Sequence, residues 1–182
     1  MHGYYKSPIF SRNVSGMSVI ASMVVGSDGS TSKDSKSAGV SSPADRRSFL
    51  ARRRNVDCII IGGNTARNEP YSRTPVPLVV LSRSLVNPVM GNHLALMWNA
   101  SPAEAVERAT RKFGPNILIE GGYSMISELV DANLLDGLEL SVTPETGGEG
   151  FIDWKELIAR FDSYEISEED GTFFYHAIKK QK

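Results

Sequence analysis

The order of apolar segments predicts an α/β domain with a central, mostly parallel sheet, an antiparallel hairpin at its C-terminal end, and helices on both faces. Three observations carry this. Short apolar, β-branched runs alternate with stretches of helical periodicity along most of the chain. Two of the runs, Val56–Ile61 and Ile117–Ile119, lead into glycine pairs, Gly62–Gly63 and Gly121–Gly122, with Glu120 between strand and glycines in the second case. The last two runs are joined by Asp170–Gly171, a strong signal for a two-residue hairpin turn.

Taken in order, Met17–Val25 predicts a buried first strand, closed by Gly26, Ser27, Asp28 and Gly29. Residues Ser27–Ser42 are mostly serine, glycine and lysine and predict a mobile connection; a lid over a site and a plain loop fit this composition equally. Ser42, Pro43 and Asp45 supply an N-cap, a first-turn proline and an acid three residues after the cap, so a helix starts there and runs to about Arg54. Its arginines at 46, 47, 52, 53 and 54 read as a solvated face, yet Arg46 and Arg53 lie two turns apart on one side, where either can fork onto a phosphate. Val76–Leu81 is the third strand, closed by Ser82, Arg83 and Ser84, and Leu94–Trp98 is a weaker fourth. Ser101, Pro102 and Glu104 repeat the helix-start pattern, Val106, Ala109 and Phe113 give the buried stripe, and Gly114–Pro115 stop it. After Gly122, Ile126, Leu129, Val130 and Leu134 fall at helical spacing. Leu138–Val142 then alternates as a strand, Pro144–Gly150 is a second glycine-rich loop, and a short amphipathic segment surrounds Trp154. Tyr164–Ser167 and Thr172–Ile178 form the hairpin.

The chain of 182 residues is expected to make one domain, residues 1–182, able to bury roughly 70% of the surface its unfolded form exposes. Twenty basic residues against 21 acidic ones give no bulk charge for nucleic acid or a membrane surface, which leaves a small molecule as the expected partner. Cys58, the single cysteine, excludes an intrachain disulfide and a cysteine-cluster metal site, and no metal is expected. The start, Met1–Lys6, has no long apolar core, and no stretch has the length of a membrane span, so the expected location is the cytoplasm. A homodimer is the expected assembly, although no residue pattern defines one.

A strand that becomes a helix through glycines aims free backbone N–H groups and the positive end of the helix dipole at one spot, and the missing Cβ lets a phosphate approach. A tight turn without a ligand explains a lone glycine pair equally well. Glu120 points to a site, because open α/β sheets bind ligands at the carboxyl ends of their strands. If the two strands are neighbours, both glycine pairs line one crevice. Neither pair fits the GxGxxG or P-loop spacing, so the common nucleotide signatures are absent.

Four pieces together resemble the reductase domain of the bifunctional deaminase-reductase of riboflavin biosynthesis, the pyrimidine reductase family that shares the dihydrofolate reductase-like fold: Ser27-Asp28-Gly29; Ser42-Pro43 with Arg46 and Arg53; Gly62-Gly63 with Thr65; and Ile119-Glu120-Gly121-Gly122. The resemblance spans Val19 to about Gly150. It implies a reductase that uses NADPH to convert the ribosylamino side chain of a diaminopyrimidine 5′-phosphate to ribitylamino, without the deaminase half fused to it in many bacteria. It also implies roles. Gly62, Gly63, Thr65 and the run Gly121, Gly122, Tyr123, Ser124 would meet the cofactor pyrophosphate and ribose, with Ser82 or Arg83 near the adenosine 2′-phosphate. Ser37 and Arg53 would hold the substrate, Arg53 at its phosphate. Glu120 would contact the substrate beside the nicotinamide, and Asp28 is a second catalytic candidate.

Departures fall on the substrate side: Ser30 where the family commonly has lysine, Gly39 where it often has an aromatic, and Asn68-Glu69 for its acidic pair before a proline. Three rivals follow: a reductase of the same fold acting on another pyrimidine or pterin-like compound, an NADPH-binding protein without turnover, and a plain dihydrofolate reductase. The last is disfavoured on the expectation that no acidic residue of the first long helix faces inward beside its arginines.

Overall fold

The computed structural model describes residues 18–84 and 86–179; the readings made for Met1–Lys6 and for the strand start at Met17 lie outside them. Among these residues eight strands form one sheet: β1 (Ser18–Gly26), β2 (Cys58–Gly62), β3 (Leu78–Leu81), β4 (Ala95–Trp98), β5 (Asn116–Ile119), β6 (Gly137–Thr143), β7 (Ser163–Glu169) and β8 (Thr172–Ile178). Their spatial order is β4-β3-β2-β5-β1-β6-β8-β7. Every pairing from β4 across to β6 is parallel, while β8 runs antiparallel to β6 and to β7.

Among the described residues five helices cover the sheet: α1 (Pro43–Arg52), α2 (Gly63–Asn68), α3 (Pro102–Phe113), α4 (Tyr123–Asp131) and α5 (Trp154–Ala159). The expected helix starts hold. Ser42 Oγ accepts from Asp45 N, and Ser101 with Glu104 closes a reciprocal capping box. The turn between β7 and β8 places Asp170 at φ 53° and Gly171 at φ 76°, the paired positive values of a type I′ hairpin turn.

Alternation along the strands divides the core. Ile117 and Ile119 pack with Ile126 and Leu129 of α4 and with Val106 and Ala109 of α3, while Leu118 between them packs with Ile59, Ile61 and Ala66 of α2 on the other side. Ile126 and Leu129 are wholly buried, and each such side chain contributes about 1.5–3 kcal/mol of hydrophobic stabilisation. Among the described residues no helix is long and apolar enough to cross a membrane.

Three expectations are corrected. Residues Ser27–Ser42 are not a loose connection: Ser30 is buried, Ser32 bridges to Glu149, and Ser37–Gly39 form a 3-10 turn, so this loop is stitched to the one at Pro144–Gly150. The arginines of α1 are not one solvated face, since Arg52 and Arg53 are buried by ion pairs that local pattern cannot show. Gly62–Arg67, read as a glycine turn, lies almost wholly in the short helix α2.

Candidate active site

Because β1 lies beside β5, and β5 beside β2, the carboxyl ends of three parallel strands meet next to both glycine pairs. A cavity of about 760 Å³ opens there, a size that accommodates a small-molecule ligand. Of the residues singled out in the sequence, Ser37, Arg53, Thr65, Glu120, Gly121, Gly122 and Tyr123 line it. Ser82 and Arg83 line a second cavity of about 390 Å³ at the ends of β3 and β4, together with Met125 of α4. Gly62, Gly63 and Ser124 line neither cavity. Gly63 nevertheless lies against Ser82: a Cβ on it would stand 3.2 Å from the serine side chain. Asp28 also lies outside both, on an exposed turn. Its oxygens accept from Ser30 N and Oγ and from Gly147 N, which hold its pKa below the ordinary value. It pins two loops together, and this geometry gives no basis for a catalytic role.

The centre of the larger cavity is a buried charge cluster. Glu120 follows β5, and its N–H still donates to Ile60 O of β2, so the strand pairing fixes where its side chain begins. Arg53, at the C-terminal end of α1, donates from Nε to Glu120 Oε1 at 2.8 Å and from Nη2 to Oε2 at 2.7 Å, a two-pronged pair. Tyr71 donates its hydroxyl to Glu120 Oε2 at 2.8 Å. The Arg53 guanidinium lies over the Phe49 ring at 4.2 Å and the Tyr71 ring at 4.8 Å. Burial works against the charge on Arg53, but the bond and charge of Glu120, then Tyr71, outweigh it and raise its pKa. Burial, then the negative Glu120, pushes the Tyr71 pKa well up and keeps it a phenol donor.

Tyr71 carries no local signal in the sequence, since it sits in a polar, proline-containing loop. Asn92, itself buried, holds that loop by donating from Nδ2 to Tyr71 O and Thr74 Oγ1. Arg53 was expected at a substrate phosphate, whereas here two of its nitrogens are engaged by Glu120. Asp45 corrects a further expectation. It is an acid in the first turn of α1, it is only 5% exposed, and it lines the cavity beside Arg46. Read as a helix-start residue alone, it gave no sign of facing inward.

The turns suit an anionic, two-ended ligand such as a dinucleotide. The nine-residue helix α4 starts at Gly122 without a side-chain cap, and a Cβ on Gly122 would meet no atom within 4 Å. Neither Gly121 nor Gly122 has a positive φ, so backbone conformation does not require glycine at either position; at Gly121 the constraint is Met125 Sδ, 2.8 Å from where a Cβ would be. Cys58 is buried and its thiol is pushed up to about 12, chiefly by that burial, so it is unreactive. Among the described residues no group of acids, histidines or cysteine has the makings of a metal site.

An open α/β sheet with a ligand cleft at the carboxyl ends of its central strands, a glycine-started helix and an ionic cluster inside the cleft defines the class of protein. Its family follows from the sequence. The RibD C-terminal domain family matches residues 17–158, and the protein belongs to that family.

Among solved structures, a pyrimidine reductase-like protein from Corynebacterium diphtheriae aligns with a TM-score of 0.68 at 17% identity, over 91% of this chain and 93% of that one. The deaminase/5-amino-6-(5-phosphoribosylamino)uracil reductase of Thermotoga maritima aligns with the same TM-score at 14% identity, over 91% of this chain and 57% of its own. A putative riboflavin biosynthesis protein from Shewanella sp. PV-4 gives a TM-score of 0.64 at 20% identity, over 91% and 100%. At these identities the likeness establishes the fold. No curated protein sequence matches.

Proposed function

We infer that the protein is an NADPH-dependent reductase acting on a pyrimidine-type small molecule, with the ribosylamino diaminopyrimidine 5′-phosphate of its family as the first substrate to assay. The observation that carries this is the meeting, in one cavity, of the uncapped start of α4 with the buried Arg53–Glu120–Tyr71 cluster. Gly121, Gly122, Tyr123 and Thr65 would hold the pyrophosphate and ribose, and Ser82 and Arg83, across the Gly63 edge, the adenosine end. When bound, NADPH supplies a hydride. The chain's own residues then need to hold an electrophilic carbon of the substrate in place and exclude water. Arg53 and Tyr71 keep Glu120 in one orientation, with all three groups shielded from solvent, and Glu120 keeps acceptor capacity for a substrate N–H or O–H. A reductase of another pyrimidine or pterin-like compound is the second reading. It is favoured by Arg53 being engaged by Glu120 and by Asp45 facing the cavity.

The test is NADPH absorbance followed with the purified phosphorylated pyrimidine, beside calorimetric binding of NADPH alone. Binding and turnover are expected. Binding without turnover of any pyrimidine or pterin would leave a cofactor-binding protein, and no binding would defeat the reading. In Glu120→Gln the shape stays and the charge goes, so NADPH affinity should hold while turnover falls.

A further inference from the structure

Two tight turns of the same type lie among the described residues, and they differ at one place. Between β7 and β8 the chain turns through Asp170 and Gly171, at φ 53° and 76°. In the loop after β1, Lys33 and Lys36 exchange backbone hydrogen bonds at 3.0 and 3.1 Å, and the residues between them, Asp34 and Ser35, have φ 52° and 62°. Such a turn needs positive φ at both central places, and glycine adopts it at the second without a steric cost. The β7–β8 turn has that glycine. The other has a serine, and a side chain held in the left-handed region persists only where its surroundings fix it.

The surroundings do so on three sides. Ser32 exchanges backbone hydrogen bonds with Glu149, Ser37 N donates to Glu69 Oε1 at 2.6 Å, and Lys33 Cβ lies 2.5 Å from where a Cβ on Gly39 would be. Position separates the two turns further. Asp170 and Gly171 line neither cavity, whereas Ser35 lines the larger one, with Thr31, Ser32, Ser37 and Glu149 around it. The Ser35 amide donates to Glu149 Oε1 at 3.4 Å, while its hydroxyl has no hydrogen bond among the described residues. Lys33, Asp34 and Lys36 do not line the cavity, so this part of the rim presents hydroxyls and a carboxylate. Alcohol groups suit it, since they donate to the carboxylate and exchange hydrogen bonds with the hydroxyls.

We propose that Ser35 determines specificity for the sugar part of the substrate: its hydroxyl, with Glu149 beside it, bonds ribose or ribityl hydroxyls, and the turn keeps serine in glycine's place for that contact. The proposal rests on the reading of this cavity as the substrate site of a pyrimidine reductase.

The experiment measures binding of ribose 5-phosphate by ligand-observed NMR, without NADPH, in the wild type and three variants, together with their thermal unfolding. Ser35→Ala keeps the backbone cost and removes only the hydroxyl, Ser35→Gly removes both, and Asp34→Gly relieves the neighbouring residue without touching the cavity wall. The wild type should bind the sugar phosphate, both Ser35 variants should weaken that binding about three- to tenfold by losing a hydrogen bond, and Asp34→Gly should leave it unchanged. Ser35→Gly should nevertheless melt about 1–3 °C above the wild type. In turnover of the ribosylaminopyrimidine phosphate, KM should rise by a similar factor in both Ser35 variants while kcat holds. Wild-type affinity in both Ser35 variants would overturn the proposal, as would failure of the wild type to bind ribose 5-phosphate. A Ser35→Gly protein that melts below the wild type would overturn it too, because serine would then serve the turn itself. Each of these results, with NADPH still bound and oxidised, leaves the reductase reading intact; absence of NADPH binding defeats that reading alone, because the sugar arm is read without cofactor.

Discussion

Two consecutive arginines at the end of α1 enter two buried clusters of different character. Arg53 meets Glu120 two-pronged, with Tyr71 and the Phe49 ring around it, at the wall of the larger cavity. Arg52 meets Ser48 at 2.7 Å and stands 3.9 Å from Glu139, which lies 2.6 Å from His176 Nδ1, and none of Arg52, Glu139 and His176 lines either cavity. Both clusters bury charge at 2–6% exposure. The geometry differs: Arg53 satisfies Glu120 through both oxygens, whereas Arg52 Nε has no hydrogen-bond partner among the described residues. Buried charge alone therefore does not mark a functional site. What separates the two clusters is access to a ligand, which residue type and burial do not reveal.

The largest effects should come from breaking each pair. Arg53→Met leaves Glu120 buried without its cation and should cost about 3–5 kcal/mol of stability in urea unfolding. The double variant Arg53→Met with Glu120→Leu should recover most of that loss but none of the turnover. Arg52→Met should also destabilise, but turnover per folded molecule should stay at the wild-type level. If Arg52→Met abolished NADPH turnover in folded protein, the contrast between the clusters would be wrong. A smaller effect separates the two glycines of the β5–α4 turn. Gly122→Ala places a methyl in open space and should weaken NADPH binding with an unchanged melting temperature. Gly121→Ala instead forces Met125 to move, an overpacking cost of about 1 kcal/mol that thermal unfolding should register.

The same contrast shows what the sequence could and could not convey. Elements governed by local rules were legible: the Ser42 and Ser101 caps, the Asp170–Gly171 turn, and the apolar strands all read from residues close in the chain. The neighbouring of the two glycine pairs could be posed only as a condition on strand order, and the β2–β5 pairing meets it. The site itself is assembled across long separations, Arg53 and Tyr71 both reaching Glu120 from other elements, and no periodicity records such a meeting. Asp45 was hidden for another reason. Its backbone role as the third residue of a capped helix accounted for it, although its side chain faces the cavity.

Arg83 offers the next smaller test. It is exposed at the second cavity with no ion pair among the described residues, and the wall it shares holds no carboxylate to favour a ribose 2′-hydroxyl. Arg83→Ala should therefore narrow a preference for NADPH over NADH by about tenfold, the worth of one charge-assisted contact at an exposed site. Calorimetry with both cofactors measures it, and equal affinity of the wild type for the two would remove Arg83 from the site.

The smallest effect concerns the loops that border the larger cavity, where Asp28 joins the Ser27–Ser42 segment to Gly147. Its pKa is lowered below 3.8, first by the Ser30 hydroxyl and then by the Gly147 and Ser30 amides. The sign follows from linkage: a carboxyl group whose folded pKa lies below its unfolded one adds stability that is complete above the unfolded value and disappears as pH falls through the folded value. Loosening is thus confined to strongly acidic solution and absent near neutrality. Amide hydrogen exchange at Gly147 should accelerate there beyond the intrinsic pH trend, while exchange at β5 stays protected. In Asp28→Asn that acid-dependent component should vanish at every pH. Persistence of the component in the variant would mean that another group ties the two loops together.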